Sequence, residues 1–191
     1  QSLDLGKLLA RIGQISGEIT GASRVLVIIV DPDSEPNNRR YIDHFNLGYQ
    51  LLPGRSIEDL ARKCAVIRSG VPFDAVDAYQ EIQGGSIYQD FFGFLPRSIL
   101  VEPIWGRENK VLGVINISHE NPNYFDEVVK NQFRQFCILV GSAVENCLLY
   151  RQAMLDRAAH RVVSDRLTLE AREEEVVTIL VEEAKKLFPQ A

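Results

Sequence analysis

Hydrophobic positions at the start of the chain recur every three or four residues, which is the spacing of one helix face. They are Leu5, Leu8, Leu9, Ile12, Ile15 and Ile19. The pattern predicts an amphipathic helix over residues 2–20 that ends at Gly21. The β-branched run Val25–Val30 predicts a buried strand. A second strand with alternating apolar positions is predicted over 41–47, although Asp43 falls on its apolar face.

Capping and turn residues divide the middle of the chain into shorter elements. Ser56 and Asp59 form a capping box, so a helix is predicted to start there and to extend through Cys64 to Gly70. A short strand is predicted over Phe73–Val76. The next stretch is predicted to be irregular, and it is rich in aromatic residues.

Two β-rich runs, 98–104 and 111–117, predict a hairpin joined by the polar turn 106–110. From Asp126 onward almost nothing interrupts a helical pattern until Pro189. A single long helix is the main prediction, with a break near Ser164 or Thr168 as the alternative.

Apolar residues in this last helix recur every seven positions, which favours a coiled-coil seam. They are Leu148, Leu155, Val162, Leu169 and Val176. The companion positions are mostly polar or charged, so the seam is weak. A second copy of the same helix is the simplest cover for these side chains, and we therefore predict a parallel homodimer through the terminal helices.

The last helical stretch repeats the apolar spacing of the first helix. We predict that residues 173–191 are either the first helix of a truncated second domain or an ordinary amphipathic tail.

Composition narrows the function classes. Hydrophobic residues make up 46% of the chain and charged residues 25%, which is ordinary for a globular protein. The net charge of −5 gives no support for nucleic-acid binding. The longest apolar run is too short for a membrane span. The chain starts at Gln1 without Met, so we expect a fragment of a longer protein.

The three cysteines lack metal-ligand spacing, and no pair of histidines has it either, so no metal site is predicted. Buried thiols in a reducing cytoplasm are the simplest interpretation of Cys64, Cys137 and Cys147. We therefore expect a cytoplasmic location.

Several short motifs occur in an order that resembles the GAF domain. They are Arg68-Ser-Gly-Val-Pro72, Asp77, Arg97-Ser98, Gly113-Val-Ile-Asn116 and the helix end Glu145-Asn146 with Leu149-Tyr150. The resemblance covers residues 2–152. It implies an α/β (α+β) fold with a central antiparallel sheet of five or six strands. The N- and C-terminal helices would pack on one face of the sheet, a small pocket layer would cover the other, and the C-terminal helix would continue as a stalk.

The predicted domain organisation follows from this resemblance. Residues 1–152 form the GAF-like domain, 153–172 a helical linker or coiled-coil stalk, and 173–191 the start of a second domain or a tail. The chain departs from two ligand-binding subsets of the family. Its Asn109-Lys110 pair lies in the hairpin, which does not fit the cyclic-nucleotide-binding pattern, and no cysteine has a neighbouring histidine for bilin attachment. The cofactor, if there is one, is left unknown.

In the resembled fold, the ligand sits between the sheet and the segment before Arg97. Here that segment carries aromatic side chains that can stack on a flat ligand, and nearby polar residues can supply hydrogen bonds. The candidate ligand-binding residues are Asp77, Tyr79, Tyr88, Phe91, Phe92, Ser98 and Asn116. The alternative is that these aromatic residues only pack onto the sheet.

The resemblance implies a non-catalytic, small-molecule-sensing and dimerisation module of a larger bacterial signalling protein. Its partners would be an unknown small molecule, a second copy of the chain and a downstream effector domain in the same polypeptide. The alternative is a GAF-fold enzyme such as a free methionine sulfoxide reductase, which uses cysteines. The placement of two of the three cysteines on the last helix counts against this alternative.

Overall fold

The computed structural model describes residues 4–82 and 86–187, with side chains described for 4–82 and 86–157. Contacts divide the chain into two compact units, Gln1–Leu148 and Leu149–Ala191. The first unit holds the sheet and its covering helices. The second consists, in its described residues, of the C-terminal part of the last helix. The domain boundary predicted at residue 152 stays a prediction.

Helix α1 spans Leu5–Thr20 and closely matches the predicted helix. Asp4 caps its start by accepting a hydrogen bond from the Lys7 backbone N–H at 3.3 Å. Gly21 ends it with φ 67°, a left-handed conformation that favours glycine.

Five strands form one antiparallel sheet in the order β2–β1–β5–β4–β3. The strands are β1 Arg24–Val30, β2 Tyr41–Leu47, β3 Phe73–Ala75, β4 Ser98–Trp105 and β5 Val111–His119. The three interior strands, β1, β5 and β4, are buried along almost their whole length, because layers of helices cover both sides of the sheet. The predicted fold class and the predicted hairpin of β4 and β5 are confirmed.

One face of the sheet packs against α1 and the first part of helix α6, which spans Glu127–Leu187. The packed side chains alternate along the strands, with Val25, Val27 and Ile29 of β1 on this face. From α6, Phe133, Val140 and Val144 are buried against them. This is the helical pair that the family resemblance implied.

The other face carries four short helices. They are α2 Ile57–Lys63, α3 Ala65–Ser69, α4 Ala78–Glu81 and α5 Ile87–Phe92. Their apolar side chains form a second core with the remaining alternate residues of the strands, among them Leu26 and Ile28. The candidate ligand cavity lies on this side of the sheet.

Two local predictions require correction. The helix predicted from Ser56 to Gly70 is divided at Cys64, whose ψ of 115° is extended and allows α2 and α3 to take different directions. The segment 78–95, predicted to be irregular, contains α4 and α5. Each has a side-chain cap, because Asp77 accepts from the Tyr79 N–H and Ser86 from the Tyr88 N–H.

Helix α6 is a single helix over Glu127–Leu187, as the main prediction had it. Of the seven-residue repeat, Leu148 and Leu155 have described side chains, whereas Val162, Leu169 and Val176 lie outside the described side chains. The coiled-coil seam and the second-domain hypothesis therefore stay predictions. Among the described residues, no helix has both the length and the apolar character needed to cross a membrane.

A candidate ligand cavity between the sheet and the short helices

A cavity of about 300 Å³ lies between the sheet and the layer of short helices. This volume is at the lower end of the roughly 300–1,000 Å³ that ligand pockets occupy. Its floor is formed by side chains of four strands: Leu26, Ile28, Phe73, Val101, Val114 and Asn116. Its walls come from the short helices and their connections: Leu60, Lys63, Cys64, Ala65, Val66, Ile82, Ser86, Ile87, Tyr88 and Phe92.

The two-residue period of the strands determines which side chains form the floor of the cavity. Leu26 pairs with Asn116, and Ile28 pairs with Val114, so all four side chains point to the same side of the sheet. The break at Cys64 shapes one wall, because it brings the end of α2 and the start of α3 to the same cavity. Burial raises the pKa of the Cys64 thiol, so the thiol remains protonated near neutral pH.

A polar network lies at the cavity floor. The Tyr88 hydroxyl donates to Asn116 Oδ1 at 3.1 Å, and Tyr49 Oη lies 3.5 Å from the same oxygen and 2.7 Å from Ser118 Oγ. Burial raises the pKa of both tyrosines, which keeps their hydroxyls protonated as donors. These hydrogen bonds fix the Asn116 side chain, with its Oδ1 atom as the acceptor.

The amide nitrogen of Asn116 has a different position. Within residues 4–82 and 86–157, Asn116 Nδ2 has no hydrogen-bond acceptor, and it is not fully enclosed by protein atoms. Because Asn116 lines the cavity, Nδ2 is available as a donor to a bound molecule.

Among the described residues that line the cavity, Lys63 is the single charged side chain, and none of them is a carboxylate. Lys63 Nζ lies 5.5 Å from the ring centre of the buried Phe91. In the described part of the chain, Lys63 has no ion-pair partner, and the residue is exposed to solvent, so it contributes one exposed, unpaired positive charge to the cavity lining.

The cavity brings together three of the predicted site residues, namely Tyr88, Phe92 and Asn116. Phe91 does not line it. The Phe91 ring is fully buried in the second core, with the Arg55 guanidinium 5.4 Å from its centre.

The other three predicted residues lie away from the cavity lining. Asp77 caps α4 and accepts hydrogen bonds from Arg97, which holds the pKa of the Asp77 carboxyl below its usual range. Tyr79 is 61% exposed, with the Arg97 guanidinium 5.0 Å from its ring centre. Ser98 Oγ lies 2.8 Å from Asn121 O and 3.2 Å from Val76 O and accepts from the Tyr124 N–H at 3.0 Å, so it joins the connection after β3 to the connection after β5.

Sequence reasoning missed the lining residues from α2 and α3, and also Tyr49 behind the floor. Lys63 and Cys64 gave no local signal, because the helix break between α2 and α3 contains neither glycine nor proline. The floor residues Leu26 and Ile28 could have been found, since they alternate with the residues that face the long helices. Among the described residues, no three His, Cys, Asp or Glu side chains cluster as a metal site would require.

The five-stranded sheet thus has the terminal helices on one face and a candidate ligand cavity on the other. The GAF domain family profile matches residues 4–144, and the chain therefore belongs to the GAF domain family, whose members are sensory and regulatory modules. The departures of the sequence from two ligand-binding subsets do not change this assignment.

One curated relative is the dual 3′,5′-cyclic-AMP and -GMP phosphodiesterase 11A of Takifugu rubripes, which is 29% identical over 107 residues. The match covers 56% of this chain and 12% of the phosphodiesterase, so this chain corresponds to a small part of that protein.

Solved structures are similar in fold. The blue-light-absorbing PixJ GAF domain of Thermosynechococcus elongatus has a TM-score of 0.57 at 16% identity, covering 82% of this chain and 94% of that one. The GAF domain of an Acinetobacter phosphoenolpyruvate-protein phosphotransferase has a TM-score of 0.50 at 13% identity, covering 76% and 85%.

Proposed function

We propose that this chain is a non-catalytic, small-molecule-sensing and dimerisation module of a larger cytoplasmic signalling protein of bacterial type. Ligand binding in the cavity would bias the position of the terminal helices and, through them, an effector domain in the same polypeptide. The observation that carries the proposal is the placement of the cavity directly across the sheet from α6.

The sheet offers a short connection between these two sides. On β3, Phe73 lines the cavity, while its neighbour Asp74 lies 2.7 Å from Lys130 Nζ of α6. On β4, Val101 lines the cavity, while its neighbour Glu102 lies 2.9 Å from Arg134 Nε of α6. A ligand that moves either strand therefore moves an anchor of the helix.

In each anchor one partner is buried and the other is partly exposed. Lys130 is 4% exposed and Glu102 is 5% exposed, whereas the side chains of Asp74 and Arg134 are 32% and 38% exposed. Separation of either pair leaves a buried charge uncompensated, which is unfavourable. Burial disfavours the charge of Lys130, yet the hydrogen bonds and charges of Asp74 and Glu127 outweigh it and raise its pKa. The helix is thus expected to follow the strands and not to detach from them.

A binding experiment tests the sensing role. In a thermal-shift screen of nucleotides, purines, amino acids and small acids, we expect at least one stabilising compound. A ligand at a hundredfold excess over its Kd raises the free energy of unfolding by about 2.7 kcal/mol. Ile87→Trp fills the cavity and should weaken the binding of that compound. Tyr79→Ala lies away from the cavity and should leave the binding unchanged. If Ile87→Trp left the affinity of the compound unchanged, its binding site would lie elsewhere.

Hydrogen exchange tests the relay. We expect the ligand found in the screen to change amide protection in the first part of α6, residues 127–148. Lys130→Met should reduce this change while leaving the ligand affinity within about threefold, because Lys130 lies on the opposite face of the sheet. Equal changes in wild type and variant would exclude the Lys130 anchor as a route.

The dimer is supported by the surface of the second unit. Leu149 and Leu155 are more than half exposed on the C-terminal part of α6. Exposed aliphatic side chains on a helix favour a second helix as cover. Light scattering should give about twice the 21.5 kDa of the chain, and Leu155→Glu should shift it towards monomer. A monomeric wild type at high micromolar concentration would refute the dimer.

One observation favours the alternative of a cysteine-dependent reductase, since Cys64 lines the cavity. Its thiol is a poor nucleophile there, because burial raises its pKa and the thiolate is the reactive form. We expect no turnover of free methionine sulfoxide with a thiol reductant. Turnover that is lost in Cys64→Ser would overturn the non-catalytic assignment.

A further inference from the structure

We infer that the cavity selects a small amphipathic monoanion, with a compact apolar body and a single acidic group that pairs with Lys63. The inference rests on the proposed sensing function and names the chemical class of its ligand. A simple carboxylic acid in its ionised form is the smallest molecule with these properties.

The charge of the lining selects the sign of the ligand. Lys63 is the one charged lining residue, and in the part of the chain that the structure describes it has no ion-pair partner. A cationic ligand would meet this ammonium group with no carboxylate to offset the repulsion. An anion would instead form a charge-assisted hydrogen bond with this ammonium group, and the ion pair would be partly exposed because Lys63 itself is exposed.

The number of cations limits the charge of the ligand. A doubly charged phosphate group is usually bound by several donors such as arginines or a helix terminus. Here one lysine is the single cation at the cavity, and the arginine nearest in sequence, Arg62, pairs with Glu58 and Asp59 and not with a ligand site. A single negative charge therefore matches the site better than a phosphate.

The uncharged residues of the cavity lining determine which apolar body of the ligand fits. The floor consists mainly of branched aliphatic side chains, and Phe73, Tyr88 and Phe92 add aromatic surface. These groups favour a hydrocarbon or phenyl body, and the cavity of about 300 Å³ limits it to a small one. Asn116 Nδ2 offers one neutral donor, so the body can carry one hydrogen-bond acceptor such as a keto or ether oxygen.

Calorimetric titration with matched acids and amides tests the inference on the whole chain. The pairs are benzoate with benzamide, phenylacetate with phenylacetamide, and hexanoate with hexanamide, and benzylamine serves as the cation. We expect at least one acid to bind roughly twofold to fivefold more tightly than its amide, which is the range for a partly exposed ion pair. Benzylamine should not bind.

One lysine variant and one arginine variant distinguish a specific ion pair with Lys63 from the general effect of positive surface charge. Lys63→Gln should abolish the preference for the acid over the amide. Arg62→Gln, the same charge change at the neighbouring position outside the lining, should leave the preference intact. Added salt should weaken the binding of the acid more than the binding of the amide, because salt screens the ion pair.

The outcomes distinguish this inference from the function on which it rests. If the amides bind as tightly as the acids and Ile87→Trp weakens them, the cavity is a ligand site but the anionic class is overturned. An acid that binds with the same affinity to Lys63→Gln would also overturn the class. If no acid, amide or compound of the wider screen binds, the sensing function falls together with the inference.

Discussion

At Gly141, helix α6 lies close against the end of β4, and this contact gives a specific prediction. A Cβ added at Gly141 would lie 2.0 Å from the backbone oxygen of Trp105 at the end of β4. Carbon and oxygen atoms normally approach to about 3.3 Å, so Gly141→Ala requires a shift of more than about 1 Å. The obstacle is backbone and not a flexible side chain, and therefore the helix itself must move.

The magnitude follows from two opposing effects. Alanine in a helix interior is more favourable than glycine by about 1 kcal/mol. Overpacking costs about 1–3 kcal/mol, and here the retreat of α6 also loosens the buried Val140 and Val144. We expect a net loss of about 1–2 kcal/mol, which lowers the melting temperature by roughly 2–8 °C for a chain of this length.

Gly17 of α1 is the matched control. A Cβ added there would lie 3.6 Å from Val25 and 4.0 Å from Leu47, which is ordinary contact. Gly17→Ala should therefore stabilise the chain by up to about 1 kcal/mol. The same substitution in two helices that pack on the same sheet face is thus expected to have opposite signs.

Urea unfolding, followed by circular dichroism and by fluorescence, measures both variants. Trp105 is the single tryptophan and lies at the contact itself, so its emission should also change in folded Gly141→Ala. A Gly141→Ala variant at least as stable as wild type would refute the close approach. Destabilisation by Gly17→Ala would instead show that the reasoning about glycine in these helices is wrong.

Three further predictions concern single side chains. Arg97 lowers the pKa of Asp77 through its hydrogen bonds, so this stabilisation is complete above the ordinary Asp pKa and is lost as the pH falls through the lowered value. Asp77→Asn, which retains a capping side chain, should lose less stability than wild type between neutral pH and about pH 3 in urea unfolding. Labelling of Cys64 by a neutral maleimide should be slow at pH 7, accelerate as the pH rises and be slowed by a cavity ligand, as mass spectrometry can follow. Tyr49→Phe should cost about 1 kcal/mol in urea unfolding, because Ser118 Oγ loses its partner at 2.7 Å.

The sequence predicted the sheet well because its strands carry strong local signals. Val25–Val30 is a β-branched run, and the polar turn between the runs at 98–104 and 111–117 indicated the hairpin. The caps at Asp77 and Ser86 were also visible, and they could have revealed α4 and α5. The break at Cys64 could not be predicted, since it depends on how Leu60 and Val66 both reach the second core.

The candidate site was predicted only in part, for a different reason. The polar residues Asp77 and Ser98 were suitable ligand contacts by chemical type, yet their polar atoms are engaged by Arg97 and by backbone groups of distant loops. Sequence shows which atoms can form hydrogen bonds but not which are already satisfied in the fold. Asn116 lines the cavity and illustrates the contrast, because tertiary contacts engage its oxygen and leave its nitrogen without an acceptor among the described residues.

Strand β4 has a central place in both the cavity and the helix contact. Val101 faces the cavity, Glu102 holds Arg134, and the carbonyl of Trp105 meets Gly141. Because packed interiors transmit strain, a ligand that displaced β4 would be expected to move α6 through the packed contact and the ion pair together. In the small cavity, a ligand that fills the space would press on Val101. The proposed sensing mechanism would therefore need no large rearrangement, only a displacement of one strand that α6 follows.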